Sequence, residues 1–185
     1  MYNYQQGQNQ NFTHYNYLEN YKQPKKQGEN QNRPKIGVGV IVFNKYSQNV
    51  LLSKRKDNGL FGFPGGHLEF GEDIEYCSSR ELKEETNLQI DQKEFKVFKC
   101  LNVKRLNINY HYVNFFTIAQ FKNAYISQKI VNLEPEKHED WEWVSCQQME
   151  NLYKNGYLFY GLEDMVKNAF DGSCQKMYQG FTEFV

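Results

Sequence analysis

Glu81, Glu84 and Glu85 stand at i, i+3 and i+4 in the run Arg80-Glu81-Leu82-Lys83-Glu84-Glu85. At about 100° per residue on a helix, Glu85 falls roughly 40° to one side of Glu81 and Glu84 roughly 60° to the other, so three carboxylates share one narrow fan. Like charges so spaced weaken an isolated helix, and at an effective dielectric near 20 two charges 4 Å apart repel by ~4 kcal/mol. A divalent cation reverses that sign. Hard ions such as Mg²⁺ take oxygen ligands and commonly join one or two carboxylates to a substrate phosphate. The plainer reading is a solvated acidic face with Lys83 nearby.

The fan exists only if a helix carries it. Breakers cease after Gly71, and helix formers take over from about Ile74 to Asn87, which suits a left-handed C-cap. The whole stretch from Gly65 to Leu88 therefore reads as a Gly-rich loop feeding a helix. From Gly66 its residues run G-x5-E-x7-R-E-L-x-E-E-x-N-L. This resembles the signature of the Nudix hydrolases, G-x5-E-x7-R-E-U-x-E-E-x-G-U with U aliphatic. At ~7% usage per residue type, six matching fixed positions arise by chance on the order of once in ten million starting points. Asn87 stands where the family has Gly, and Asn is the next most tolerant of a left-handed conformation.

The resemblance implies hydrolysis of a nucleoside diphosphate linked to another group, with water attacking a pyrophosphate phosphorus. By matching position it makes Glu81, Glu84 and Glu85 catalytic. Glu81 and Glu85 are the first metal ligands, with Glu84 and the backbone carbonyl of Gly65 as additions. The ion implied is Mg²⁺, with Mn²⁺ as the substitute. Gly66, Glu72 and Arg80 are structural in the family pattern, the last two as a charged pair bracing the loop against the helix. The general base is either Glu81 or a Glu on a later loop, Glu136 or Glu139, for both of which a solvated side chain is the preferred reading.

Further runs, among them Phe63-Pro64-Gly65-Gly66-His67, Asn109-Tyr110-His111-Tyr112-Val113 and Phe159-Tyr160-Gly161-Leu162, resemble the nucleotide triphosphate diphosphatase (MutT-like) branch, whose animal member cleaves thiopurine nucleotides. That likeness places Phe63, Asn114, Phe159, Tyr160, Gly161 and Leu162 around a base pocket. Asn114 replaces a Thr of that relative, Tyr160 a Trp and Glu163 an Arg. Lys54 and Arg55 end a strand before the loop and can meet phosphates, and His67 either braces the loop or meets substrate. The expected reaction converts (deoxy)nucleoside triphosphates to monophosphate and pyrophosphate, modified purine nucleotides included. The alternatives are a nucleotide sugar, a dinucleotide or a capped RNA end as substrate, or a non-catalytic ligand-binding module. The relatives imply a homodimer.

Composition sets the outer bounds. A net charge of zero gives no bulk attraction to nucleic acid or membrane, so neither is expected as a stable partner. No apolar run approaches the ~20 residues needed to span a bilayer and the start lacks an apolar signal segment, so a cytoplasmic protein, with the nucleus as a second location, is expected. Cys77, Cys100, Cys146 and Cys174 are widely spaced, without a CxxC pair, and read as reduced thiols.

Residues 1–34, rich in Asn, Gln and Tyr, read as a disordered tail, 35–172 as the domain and 173–185 as a C-terminal extension. Within the domain, Ile36–Phe43 and Tyr110–Phe121 are apolar on both faces, as central strands are, and Val50–Lys56, Phe95–Leu101 and Trp141–Val144 are further strands. Cys146–Asn151 reads as a short helix and Leu162–Phe170 as a closing one. This order predicts an α+β fold, and the resemblance implies an α/β/α sandwich around a mixed sheet.

Overall fold

The structure, a computed structural model, describes residues 33–125 and 128–185, so all but the last two residues of the expected disordered tail lie outside the described residues. The frame is a mixed sheet built on β1 (Lys35–Asn44) and β6 (Tyr110–Gln120), which run parallel in register from Lys35↔Tyr112 to Phe43↔Gln120. β5 (Lys96–Arg105) closes one side as an antiparallel hairpin with β6, through a short 3₁₀ turn that ends on Asn109 at φ 54°. The other edge of β1 is shared. β4 (Gly65–His67) pairs with its first half at Gly37↔His67 and Gly39↔Gly65, and β2 (Asn49–Lys54) with its end at Phe43↔Val50. β3 (Phe61–Gly62) and β7 (Glu142–Ser145) pair with β2.

Alternation along β1 explains why helices must cover both faces. Val38, Val40 and Val42 point to one side, where α1 (Ile74–Thr86) packs Cys77 and Leu82 against them with Leu51, Leu88, Ile90 and Ala119. Ile41 and Phe43 point to the other, into a second core with Ile118, Val144 and Met149. That face is covered by α2 (Cys146–Lys154), α3 (Tyr160–Asp164) and α4 (Cys174–Phe184). The α/β/α sandwich is therefore present.

α1 ends where the sequence places its end. Asn87 sits at φ 62°, in the left-handed region, and its backbone N–H donates to the Lys83 carbonyl. A buried Ser78 hydroxyl pairs with Thr117 of β6 at 2.8 Å, which fixes the rotation of α1 and hence the direction of its carboxylates.

Two expectations need correction. The helix expected over Leu162–Phe170 begins two residues earlier as α3 and continues as a π-helical turn, Met165–Ala169, which still buries Leu162, Met165 and Val166. Residues 173–185 are no appendage. Ser173 caps α4 by accepting from the Lys176 N–H, and Cys174, Met177, Tyr178 and Phe181 are buried in the second core. The Tyr178 hydroxyl donates to the Val144 carbonyl at 2.7 Å, and Phe181 packs on Phe43.

Candidate active site

The Gly-rich loop and α1 are joined by one guanidinium. Arg80 donates to both oxygens of Glu72 (Nε to Oε1 2.6 Å, Nη2 to Oε2 2.9 Å), and its remaining Nη1 reaches Glu81 Oε1 at 2.8 Å and Glu84 Oε2 at 3.2 Å. The carboxylate fan is thus relieved by Arg80, one position before its first member, rather than left to repel. Glu84 is half exposed, whereas the side chains of Glu81 and Glu85 are 13% and 6% exposed. Glu85 faces another way. Its Oε2 accepts from the Gly65 N–H at 2.9 Å, its Oε1 lies 3.4 Å from His138 Nε2, and its backbone carbonyl accepts from the Trp141 indole. Glu81 lies directly beneath Gly66, where an added Cβ would stand 2.6 Å from its carboxyl carbon.

Residues able to hold a metal therefore differ from the fan alone. Among the described residues, the group that brings three ligand atoms within 4.8 Å of one another is Glu85, Glu134 and His138. Of the two later-loop candidates, Glu136 and Glu139, Glu139 turns to Lys54 at 3.3 Å, and the loop carboxylate that comes close to Glu85 is instead Glu134. Oxygen and imidazole donors of this kind suit a divalent cation. Sequence reasoning missed Glu134 and His138 because they meet Glu85 only through the fold. The nearest local signal is Asn132-Leu133-Glu134-Pro135, an Asx-turn sequence in which Asn132 Oδ1 accepts from the Glu134 N–H.

Beside these groups opens a cavity of about 210 Å³, on the face of the sheet opposite α1. Asn114 and Phe116 of β6 form its floor, facing Gly37 and Gly39 of β1. Phe63, Phe159, Gly161 and Leu162 wall it, and Gly65, Gly66, His67 and His138 make its rim. Space is the reason for the glycines: a Cβ on Gly161 would meet Asn114 Nδ2 at 2.7 Å and Phe116 at 2.9 Å. Tyr110 and Tyr112, which also line the cavity, continue the alternation 110, 112, 114, 116 along β6, a period-two signal visible in the sequence but not drawn from it.

Two expected contacts are not at the wall. Lys54 is absent from it, and Tyr160 instead lies under Arg105, whose guanidinium is 5.2 Å from its ring centre and which pairs with Glu163 and Asp164. Arg55 does line the cavity, gripping Asp57 through two bonds (3.1 and 2.8 Å) over the Phe159 ring. His67 bonds the Tyr112 hydroxyl at 2.9 Å. All four cysteines are free thiols.

Two neighbouring carboxyls are tuned in opposite directions. The Arg80 hydrogen bonds hold Glu72 down from the ordinary 4.5 to about 2, while burial pushes Glu81 above the usual range. Because the folded pKa of Glu72 lies below its unfolded value, its stabilisation is complete above about pH 4.5 and is lost as pH falls towards 2. Glu72→Gln should therefore cost about 2 kcal/mol at pH 7 and flatten the fall in melting temperature between pH 4.5 and 2, as thermal melts across that window would report. Parallel melting curves for the two proteins in acid would contradict this.

Comparisons with known proteins follow the same lines. A putative 8-oxo-dGTP diphosphatase of Bacillus subtilis is 50% identical over 50 residues, 27% of this chain and 33% of that protein. The 8-oxo-dGTP diphosphatase of Buchnera aphidicola is 30% identical over 95 residues, 51% of this chain and 69% of that one. The chain thus spans only about a third of the length of the first of these. The fold is similar to that of a MutT NUDIX hydrolase from Burkholderia pseudomallei, with a TM-score of 0.55 at 24% identity over 62% of this chain and 85% of that chain. No helix among the described residues is long and apolar enough to cross a membrane. The family model described as the NUDIX domain matches residues 33–160, and with most of its length so matched the chain belongs to the NUDIX domain family.

Proposed function

We propose that this protein is a divalent-metal-dependent nucleotide pyrophosphohydrolase that converts (deoxy)nucleoside triphosphates to monophosphate and pyrophosphate. The observation that carries this reading is the meeting of two unlike sites. An aromatic cavity with an amide on its floor opens at a rim, Gly65, Gly66 and His138, immediately behind which stand the carboxylates of Glu81 and Glu85. On this reading, a nucleotide whose base enters the cavity would lay its phosphate chain along Gly65, Gly66 and His138.

Each residue has a defined task. Phe63, Phe116 and Phe159 offer ring faces and edges to a base, and Asn114 offers one donor and one acceptor to its polar rim. Arg55, at the cavity wall, meets phosphate oxygens. The Glu72–Arg80 pair ties loop to helix, and the Gly65 N–H fixes one oxygen of Glu85. Glu81, Glu84, Glu85, Glu134 and His138 are the groups that would hold the metal. Bound there, Mg²⁺ would neutralise phosphate oxygens and lower the pKa of a ligated water. Glu81, shielded from water, is suited to hold or release a proton close to the attacked phosphorus. Homodimeric assembly and a cytoplasmic location belong to the same reading.

Phosphorus NMR of the full chain with Mg²⁺ and a panel of purine and pyrimidine triphosphates, 8-oxo-dGTP among them, tests it. A monophosphate and pyrophosphate should appear in equal amounts. Release of inorganic phosphate in place of pyrophosphate, or cleavage of nucleotide sugars or dinucleotides added in parallel with none of the triphosphates consumed, would overturn it.

A further inference from the structure

We infer that the part of the β1–β6–β5 face left open beside α1 is the surface through which two copies of this chain pair about a two-fold axis. This surface serves the homodimeric part of the proposed function and rests on that reading, not on the reaction assigned to it.

Strand register defines the surface. β4 pairs with β1 at Gly37↔His67, and the Leu68 N–H continues that ladder to the Ile36 carbonyl at 3.3 Å. Ile36 in turn is the partner of Val113 in β6, and Val113 of Asn102 in β5, so Leu68, Ile36, Val113 and Asn102 stand in one row. Phe115 and Cys100 are the next pair along on the same side. These side chains alternate with Gly37 and Asn114 and so point away from the cavity, to the face that carries α1. α1 covers only part of that face. Its Ser78 bonds Thr117 and Val38 is buried in the core beneath it, yet Ile36 remains 43% exposed, Cys100 is exposed, and Val113 and Phe115 are half-buried. Among the described residues, neither core takes in Ile36, Val113 or Phe115. An apolar row left open on central strands, with a polar border, is the kind of surface that a protein partner covers.

Charge selects a second copy as that partner. At one border stand Lys104 and its β6 partner His111, whose Nε2 bonds Asn102 Oδ1 at 2.8 Å. At the other, where Ser78 meets Thr117, the start of α1 presents Asp73 and Glu75. A two-fold axis through Val113 and Phe115 lays the basic border of one copy on the acidic border of the other, the self-complementarity that an isologous interface requires. A formal net charge of zero adds no long-range repulsion between copies. Edge-to-edge pairing through β5, which ends the sheet among the described residues, is the competing geometry. Lys96, Lys99 and a register shift between Val97 and Lys99 guard that edge. Because each cavity opens on the opposite side of its sheet, face-to-face pairing leaves both open.

Sedimentation velocity of the full chain over a range of concentrations, with a maleimide as probe of the Cys100 thiol, tests the surface. A dimer with a micromolar or tighter Kd is expected. Val113→Glu sets a carboxylate in the middle of the row without touching the cavity side, and should weaken the dimer at least about 100-fold; Lys104→Glu should weaken it about tenfold through like charge at the border. Cys100 should react more slowly in concentrated, dimeric wild type than in dilute, dissociated wild type. Should Val113→Glu fail to fold, Lys104→Glu and the concentration dependence of Cys100 labelling decide. A chain monomeric throughout, its open row then left to residues 1–32 or to another protein, overturns the interface, and so does a dimer that folded Val113→Glu and Lys104→Glu leave unchanged. Triphosphate cleavage by a monomer would overturn the interface and leave the reaction standing, whereas a dimer bound through this row that cleaves no triphosphate would overturn the reaction alone.

Discussion

Glu85→Gln is expected to reduce pyrophosphate release by about 10²- to 10³-fold while the protein still melts within about 3 °C of the wild type. Glutamine keeps the shape of the side chain, and its carbonyl can still accept from the Gly65 N–H, so the packing against Trp141 and the loop survives. What is lost is a negative charge on a side chain 6% exposed, next to His138 and the cavity rim. On the proposed reading Glu85 helps to hold the metal, and there one missing charge weighs far more on the transition state than on the fold.

Glu81→Gln should lower turnover by a similar factor with a different signature in the melt. Burial already disfavours the charged form of Glu81, so a neutral isostere removes a cost that the folded, metal-free protein bears at neutral pH. Arg80 keeps both bonds to Glu72. Equal or higher melting temperature in metal-free buffer, together with lost turnover, is the expected pair of results. Turnover within fivefold of the wild type in both variants would remove these carboxylates from the reaction.

Gly65→Ala should be the most damaging single substitution to the fold around the site. Gly65 has φ 144°, and a Cβ there would fall onto the Val38 carbonyl oxygen, with the Gly39 Cα 3.0 Å away. Both obstacles are backbone of β1, which is locked in place by β6 on its other side. Neither can give way. A loss of about 3–5 kcal/mol is expected, a fall of roughly 6–20 °C in melting temperature. Gly66→Ala is the informative partner, because the atoms its Cβ would meet most closely are the carboxylate end of Glu81, a side chain that can swing aside. That variant should melt within about 1 kcal/mol of the wild type and lose activity through the displaced Glu81. Equal melting of the two would show that β4 is not held against β1 as described.

The parts of this architecture legible in the sequence are those fixed by local periodicity. The spacing of Glu81, Glu84 and Glu85 sets their shared face, and the Gly-free run up to Asn87 sets the length of α1. The apolar runs of β1 and β6 mark them as central because both faces of each are buried, and burial on two sides leaves no polar alternation.

What escaped local reading depends on distant partners. β4 is Gly-Gly-His and has no strand propensity; it is a strand only because β1 offers it an edge. α4 carries Gly180 in mid-helix, which weakens its pattern, and the glycine finds its reason in the rings of Phe170 and Phe98, 3.2 and 3.5 Å from where a Cβ would be. His138 sits in a charged loop whose sequence reads as solvated. Only the crossing of that loop beneath Trp141 and beside Glu85 buries it.

The position of α4 has a consequence for how the chain is made. The face of the sheet bearing Phe43 and Ile118 has Met177, Tyr178 and Phe181 as part of its cover, and β1 has its parallel neighbour only once β6 exists. On the ribosome, β1 can pair early with β2 and β4, but it waits, greasy on one face and without its parallel neighbour, until β6 and the later residues of α4 have cleared the exit tunnel. Such a nascent chain is a natural client for chaperones, and premature release would leave a sticky half-sandwich rather than a smaller working enzyme.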